Sequence, residues 1–143
     1  MAVTRNTATK LWNDVFGASV EWGTDCFGTY IHRDDYGDYD KMRVRPYGTG
    51  KQYNYGWDVD HIRPVSNFAK DSDADFWNNY EPMHRSNNSE KSSDYPHFSI
   101  DQKRYQVVTC DVCSQRNKKG YGIVDLQTNK RIDWKGVQNR CYV

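Results

Sequence analysis

Apolar and polar positions change period several times along this chain. Leu11, Trp12, Val15 and Phe16 fall on one face of a 3.6-residue repeat. The spacing predicts a helix over 7–16, with Thr7 as its N-cap and Gly17 ending it. Residues 25–33 read as a strand or hairpin, because Phe27, Tyr30 and Ile31 are strand formers with Gly28 between them. Residues 34–55, rich in Tyr, Gly and Asp and interrupted by Pro46, read mostly as loop, with a short strand over 42–45. A strand over 55–62 is ended by Pro64. A connecting loop with one helical turn over 65–78 leads to a second strand over 79–84. Ser86 then caps a helix through Lys91, with Glu90 in its first turn. Beyond Pro96, residues 104–109, 121–126 and 130–134 read as strands, the last two joined by a turn at 127–129. No repeat or low-complexity segment is present.

Composition adds size and surface chemistry. At 143 residues the chain is about one domain long, with room for a small core and an appended piece. Eleven Tyr, five Trp and five Phe against few aliphatics predict a loop-rich fold with a core built from rings. Net charge is only +1, but residues 108–143 hold seven basic and three acidic side chains. That tail is either a nucleic-acid contact or a solvated surface. No segment approaches the roughly 20 apolar residues of a membrane span. The N-terminus also lacks the apolar core of a secretory signal, so a cytoplasmic location is expected, where four cysteines need not form disulfides.

The chemistry concentrates in Trp57-Asp58-Val59-Asp60-His61-Ile62-Arg63-Pro64, then Asn79, then Asn88-Ser89-Glu90-Lys91. An acid-histidine pair, an Asn and a second polar cluster at these intervals suit a one-metal nuclease site. Phosphodiester hydrolysis needs a metal to absorb charge, a base to activate water and supports for both. Alone, an Asp-His pair is a common accident.

Taken together, Asp60, His61, Asn79, Asn88 and Lys91, with nine residues from Asn79 to Asn88 and three more to Lys91, resemble the HNH endonuclease family of bacteria and phages. The phrase Asp58-Val59-Asp60-His61-Ile62 is also similar to the HNH domain of RNA-guided CRISPR nucleases. The resemblance covers residues 55–94 closely. It implies an α+β fold: a ββα-metal (His-Me finger) core, with an N-terminal helix and hairpin and a small β-rich C-terminal appendage. The expected division is a nuclease domain over 1–107 and an appendage over 108–143.

The resemblance also implies roles. His61 is the general base, and its ordinary pKa suits it to accept a proton from water near neutral pH. Asp60 and Asn88 supply oxygen ligands to one Mg²⁺ or Mn²⁺, leaving positions for water and phosphate. Asn79 supports the site by hydrogen-bonding loop backbone and orienting His61. Lys91 contacts phosphate or holds the helix end. Arg63 and Arg85 flank the site as phosphate contacts or as exposed charges. The expected function is metal-dependent endonucleolytic cleavage of DNA, with duplex as the expected form. RNA or single strands keep the same chemistry. A silent HNH-like module, regulating or inhibiting a nucleic-acid machine, is the alternative.

The chain departs from the family in its cysteines. Many members brace the finger with two Cys-x-x-Cys zinc knuckles, but here His84 and Asn87 flank the helix start and no Cys-x-x-Cys precedes the first strand. The finger must then be held by packing, with Trp57, Trp77, Tyr80 and Met83 as contributors. Cys110, Cys113 and Cys141 are either buried thiols or three ligands of a structural Zn²⁺, with Cys26, His97 or His32 completing the set. The run Asp71-x-Asp73-x-Asp75 starts like a calcium loop, but Phe76 and Pro82 stand where that loop needs Gly and Glu, so it reads as an acidic loop. His84 reads as structural rather than as a third metal ligand.

Overall fold

The computed structural model describes residues 3–115 and 118–134, with the side chains of 110–119 left out. Among the described residues the fold is mixed α+β, with two α-helices and several antiparallel sheets. Helix α1 (Arg5–Val15) is followed by a hairpin of β1 (Trp22–Thr24) and β2 (Tyr30–His32), and by a second hairpin of β3 (Met42–Val44) and β4 (Gln52–Asn54). Strands β5 (Trp57–His61) and β6 (Tyr80–His84) pair antiparallel across a long connection holding three short 3-10 turns. Helix α2 (Arg85–Lys91) follows directly. Strands β7 (His97–Ile100), β8 (Lys103–Gln115), β9 (Lys118–Asp125) and β10 (Lys130–Arg131) form one sheet in the order β10-β9-β8-β7. No helix among the described residues is long and apolar enough to cross a membrane.

The β5–β6 pair lies between two cores, and strand alternation explains why. Trp57 and Val59 project to one side, where they join Ala8, Leu11 and Trp12 of α1 together with Ile31 and Tyr80. Met83 faces the other side and, with Ile62, packs on Phe98, Ile100, Tyr105, Val107, Tyr121 and Ile123 of the C-terminal sheet. The Trp12 and Trp57 rings sit 5.3 Å apart, and the Trp12 indole donates to the Val20 carbonyl at 2.8 Å. Burying one such side chain stabilises the fold by about 1.5–3 kcal/mol, so the rings compensate for the scarcity of aliphatics.

Several sequence expectations shift. The first helix starts earlier, because Thr4 rather than Thr7 caps it, accepting from the Thr7 backbone N–H at 3.2 Å. Asp25 to Gly28 form the turn of the first hairpin, with Gly28 at φ 85. His84, not Ser86, caps α2, its Nδ1 accepting from the Ser86 N–H at 3.0 Å. Strands β4 and β7 carried no clear period and were not expected. The boundary expected near Val108 falls inside β8, where Val108 pairs with Gly122 and Tyr105 and Val107 share a core with Ile62 and Met83. The described part of the sheet is therefore built onto the β5–β6 pair rather than appended to it.

His84 and Asn87, which stand where a zinc knuckle would carry cysteines, are joined instead to buried Asp25. Asp25 Oδ2 accepts from the His84 backbone N–H at 3.0 Å and from Asn87 Nδ2 at 2.8 Å. Its Oδ1 accepts from the N–H groups of Phe27 and Thr29, both at 3.0 Å. One carboxylate thus ties the first hairpin to the start of α2. Each donor left buried without a partner costs about 1–3 kcal/mol. Asp25→Ala is expected to lose roughly 3–5 kcal/mol of stability on that basis, read as a lowered urea midpoint. A midpoint within the error of the parent's would remove Asp25 as the brace.

Candidate active site

The site forms where β5 ends. Ile62 N–H donates to the Asn79 carbonyl at 2.9 Å, and buried Pro64 then turns the chain away. Around this corner lies a cleft of about 430 Å³ lined by Asp60, His61, Ser66, Asp71 and Asn88, among others. Asp60 and His61 are neighbours on a strand and so face opposite sides. The cleft wraps the strand end, which lets both line it.

Asp60 is almost fully buried. Its Oδ1 lies 3.2 Å from Lys91 Nζ, while its Oδ2 is buried with no hydrogen-bond partner. Burial pushes the Asp60 carboxyl above its ordinary pKa, against the opposing pull of the Lys91 ammonium. Asn88, half-buried on α2, donates from Nδ2 to Asp58 Oδ2 at 3.4 Å. That contact occupies the amide nitrogen and leaves the amide oxygen for other use. Asp58 Oδ1 accepts from the Tyr39 hydroxyl at 2.8 Å. The orphaned Asp60 oxygen and the Asn88 amide oxygen make a donor set that fits a hard divalent cation. Among the described residues, no group of three or more His, Cys, Asp or Glu side chains is placed to hold a metal.

His61 is held by Asp75, whose Oδ1 lies 2.8 Å from its Nε2. A carboxylate only accepts, so Nε2 carries the hydrogen and Nδ1 is the basic nitrogen. The ring also packs edge-on against Tyr80, with centroids 5.6 Å apart. Burial raises the Tyr80 phenol to about 12, so it stays protonated near neutral pH and is no rival base.

Asn79 is fully buried and does not line the cleft. Its Oδ1 accepts from Arg63 N–H at 2.8 Å, and its Nδ2 donates to the carbonyls of Arg63 at 3.1 Å and Ala74 at 3.0 Å. It therefore ties Arg63, at the start of the connection, to Ala74, within it, by their backbone, as expected. Its reach to His61 is indirect: it fixes Ala74, and the next residue, Asp75, holds the imidazole. Any effect of Asn79 on His61 therefore runs through the position of Asp75. Asp75→Ala is expected to lower the rate of any His61-dependent reaction by about 10–100-fold, the usual cost of losing such a supporting partner. The thermal melt and KM should hardly move. An unchanged rate would remove Asp75 from the site.

Two of the expected nucleic-acid contacts are corrected. Lys91 is completely buried. Its three ammonium donors go to Asp60 Oδ1 and to the carbonyls of His61 at 3.1 Å and Ile62 at 3.0 Å. It locks α2 onto the end of β5 and cannot reach a phosphate. Arg63 donates to the Tyr121 hydroxyl at 2.9 Å and the Asn67 carbonyl at 2.6 Å, with its guanidinium 4.5 Å from the Phe68 ring centroid. Those bonds hold the connection against the C-terminal sheet. Arg85 differs: it is half-buried, bonded to Asn54 Oδ1 at 2.9 Å, and lines a second cleft.

His84 is structural, as expected. Its Nδ1 accepts within the helix cap and its Nε2 donates to the Asn54 carbonyl at 3.0 Å. The expected zinc ligands Cys110, Cys113 and Cys141 lie outside the described side chains. Of the partners considered for them, His32 is buried, with its Nδ1 accepting from the Asp34 N–H at 3.1 Å, and burial lowers its pKa. His97 is exposed, and burial raises the Cys26 thiol well above its ordinary pKa.

Asp75, Asp58 and Asp25 were missed as site or brace residues. Asp58 had a signal in its i, i+2 spacing from Asp60, which puts both carboxylates on one strand face. Asp75 sat in an acidic run whose loop reading hid it. No protein-family model, no curated protein and no solved structure matches this chain.

Proposed function

We propose that this chain is a small metal-dependent endonuclease of the HNH type, hydrolysing phosphodiester bonds in DNA at the end of β5. The reading makes β5, β6 and α2 a ββα-metal finger. Asp60 and Asn88 hold one Mg²⁺ or Mn²⁺, and His61 is the base. The single observation that carries it is Asp60: a carboxylate with one buried, unpartnered oxygen, on the same cleft as His61 and Asn88. A lone pair left bare at such cost is expected where a cation is to be met.

His61 Nδ1 takes a proton from water, and the resulting hydroxide attacks phosphorus. The bond from phosphorus to the 3′ oxygen breaks, and that oxygen is protonated from solvent. Asp75 keeps the imidazole in the required tautomer and stabilises the imidazolium that forms. Asn79 keeps Asp75 in place through Ala74. When bound, the divalent ion neutralises charge on the phosphate and the leaving oxygen.

Plasmid cleavage across Mg²⁺, Mn²⁺, Ca²⁺ and Zn²⁺ tests the proposal. Cutting with Mg²⁺ or Mn²⁺ that chelation stops is expected. No cutting of plasmid, flapped duplex or single-stranded DNA with any ion would overturn the proposal. A second reading is favoured by Lys91, whose buried ammonium already gives Asp60 one cation. On that reading the cleft is catalytically silent and the chain is a nucleic-acid- or protein-binding module. Stoichiometric binding without turnover would select it.

A further inference from the structure

The hairpin β3–β4 stands apart from the chemistry described so far. Residues 41–54 contain Lys41, Arg43, Arg45 and Lys51 and no acid, in a chain whose whole net charge is +1. Arg43 is neutralised by Asp35 at 2.7 Å, Arg45 is half-buried with no carboxylate partner among the described ion pairs, and Lys41 and Lys51 are exposed. The same region exposes rings: Tyr39 is 49% and Tyr53 50% accessible, and Tyr30 40%.

These groups surround a cleft of about 640 Å³, lined by Tyr30, Tyr39, Tyr53, Arg45 and Arg85 among others. The Arg45 guanidinium lies 3.8 Å from the Tyr30 ring centroid, and that of Arg85 lies 5.3 Å from Tyr39. The cleft shares no lining residue with the candidate active site, but a chain of side-chain contacts links the two. Arg85 sits over Tyr39, the Tyr39 hydroxyl donates to Asp58, and Asp58 accepts from Asn88.

We infer that this cleft binds unpaired nucleotides of single-stranded DNA, with bases stacking on Tyr30, Tyr39 and Tyr53 and phosphates meeting Arg45 and Arg85. A duplex hides its base faces within its own stack, so half-exposed rings around a cleft of this size serve it poorly. Unpaired bases offer those faces, and stacking on tyrosine is indifferent to sequence. Arginine suits the phosphates through its planar fork. The substrate of the adjoining site is then DNA with an unpaired stretch beside the scissile bond, such as a flap, a frayed end or a single strand. The choice of DNA rests on the nuclease reading above.

The test uses the full chain carrying His61→Ala in EDTA, so that binding is read without cutting. Fluorescence anisotropy is measured with labelled oligo-dT, a duplex of the same length, and oligo-rU. Oligo-dT is expected to bind about tenfold or more tightly than the duplex. Adding Tyr30→Ala and Tyr53→Ala should weaken oligo-dT binding by about tenfold or more, since each stacked base contributes roughly 1–3 kcal/mol. Tyr30→Phe with Tyr53→Phe should keep it, which separates stacking from a folding defect. Arg45→Gln with Arg85→Gln should flatten the log–log salt slope by about 1.4. Equal or tighter duplex binding, unchanged affinity in the alanine pair, or preference for oligo-rU would each overturn the inference. Wild-type cutting of plasmid, of a labelled flap and of a labelled single strand with Mg²⁺ or Mn²⁺ is read separately. Cutting without single-strand preference sinks only the cleft, and single-strand preference without cutting sinks only the nuclease.

Discussion

His61→Ala is expected to lower metal-dependent plasmid cutting by about 10²–10⁴-fold, the usual contribution of a positioned general base. The fold should survive the change. His61 is only half-buried, at the last position of β5, and its ring rests against one face of Tyr80. Its backbone pairing with Tyr80 does not depend on the side chain. What is lost is the imidazole that Asp75 holds. The thermal melt should therefore stay close to that of the parent while cutting disappears. His61→Ala that cuts at the parent's rate would sink the assignment of the base, whatever the metal dependence. Asp60→Ala is a poorer test, because it strands the Lys91 ammonium in the core.

Lys91→Met is expected to destabilise the fold by about 3–5 kcal/mol, the cost of leaving one member of a buried ion pair alone. Methionine fills similar volume beside Phe98, so a cavity is not the main loss. The loss comes from Asp60 Oδ1 and the carbonyls of His61 and Ile62, which together lose three donors. The pH dependence has a definite sign. Burial already raises the Asp60 pKa, and Lys91 is the main force lowering it. Without Lys91 the carboxyl rises further. A carboxyl whose folded pKa lies above its unfolded value costs stability at all pH above the folded value. The cost fades as pH falls toward the unfolded value of about 3.9. Urea midpoints of parent and variant should therefore differ most near neutral pH and converge in acid. A constant difference across pH would show that packing, not the stranded carboxylate, carries the loss.

Around the candidate site, much of the local order was legible in the sequence. The strand read over 55–62 with its stop at Pro64 located β5, and the helix read from a Ser86 cap through Lys91 located α2 within a residue or two. The intervals among Asp60, His61 and Asn88 anticipated residues that line one cleft. Asn79 was read as a support that bonds loop backbone, and among the described residues its amide meets backbone groups of Arg63 and Ala74. These features are local: period, turn chemistry and spacing act over a few residues. Strands β4 and β7 escaped because each has three or four residues and draws its stability from a partner strand rather than from its own pattern.

By itself, the sequence determined the α+β class, the order of strand, connection, strand and helix, and the identity of the polar residues gathered at the end of β5. Tertiary structure alone decided how those residues are used. Lys91 carries a charge, and a charge on a helix usually faces water. Only the packing of α2 on β5 shows it buried against Asp60, with every donor satisfied. Asp75 is fourteen residues from His61, and Arg63 is fifty-eight from Tyr121. No local period encodes either pair. The domain boundary dissolved for the same reason: a hydrophobic core joins whatever surfaces meet, and here Ile62 and Met83 meet Val107 and Ile123.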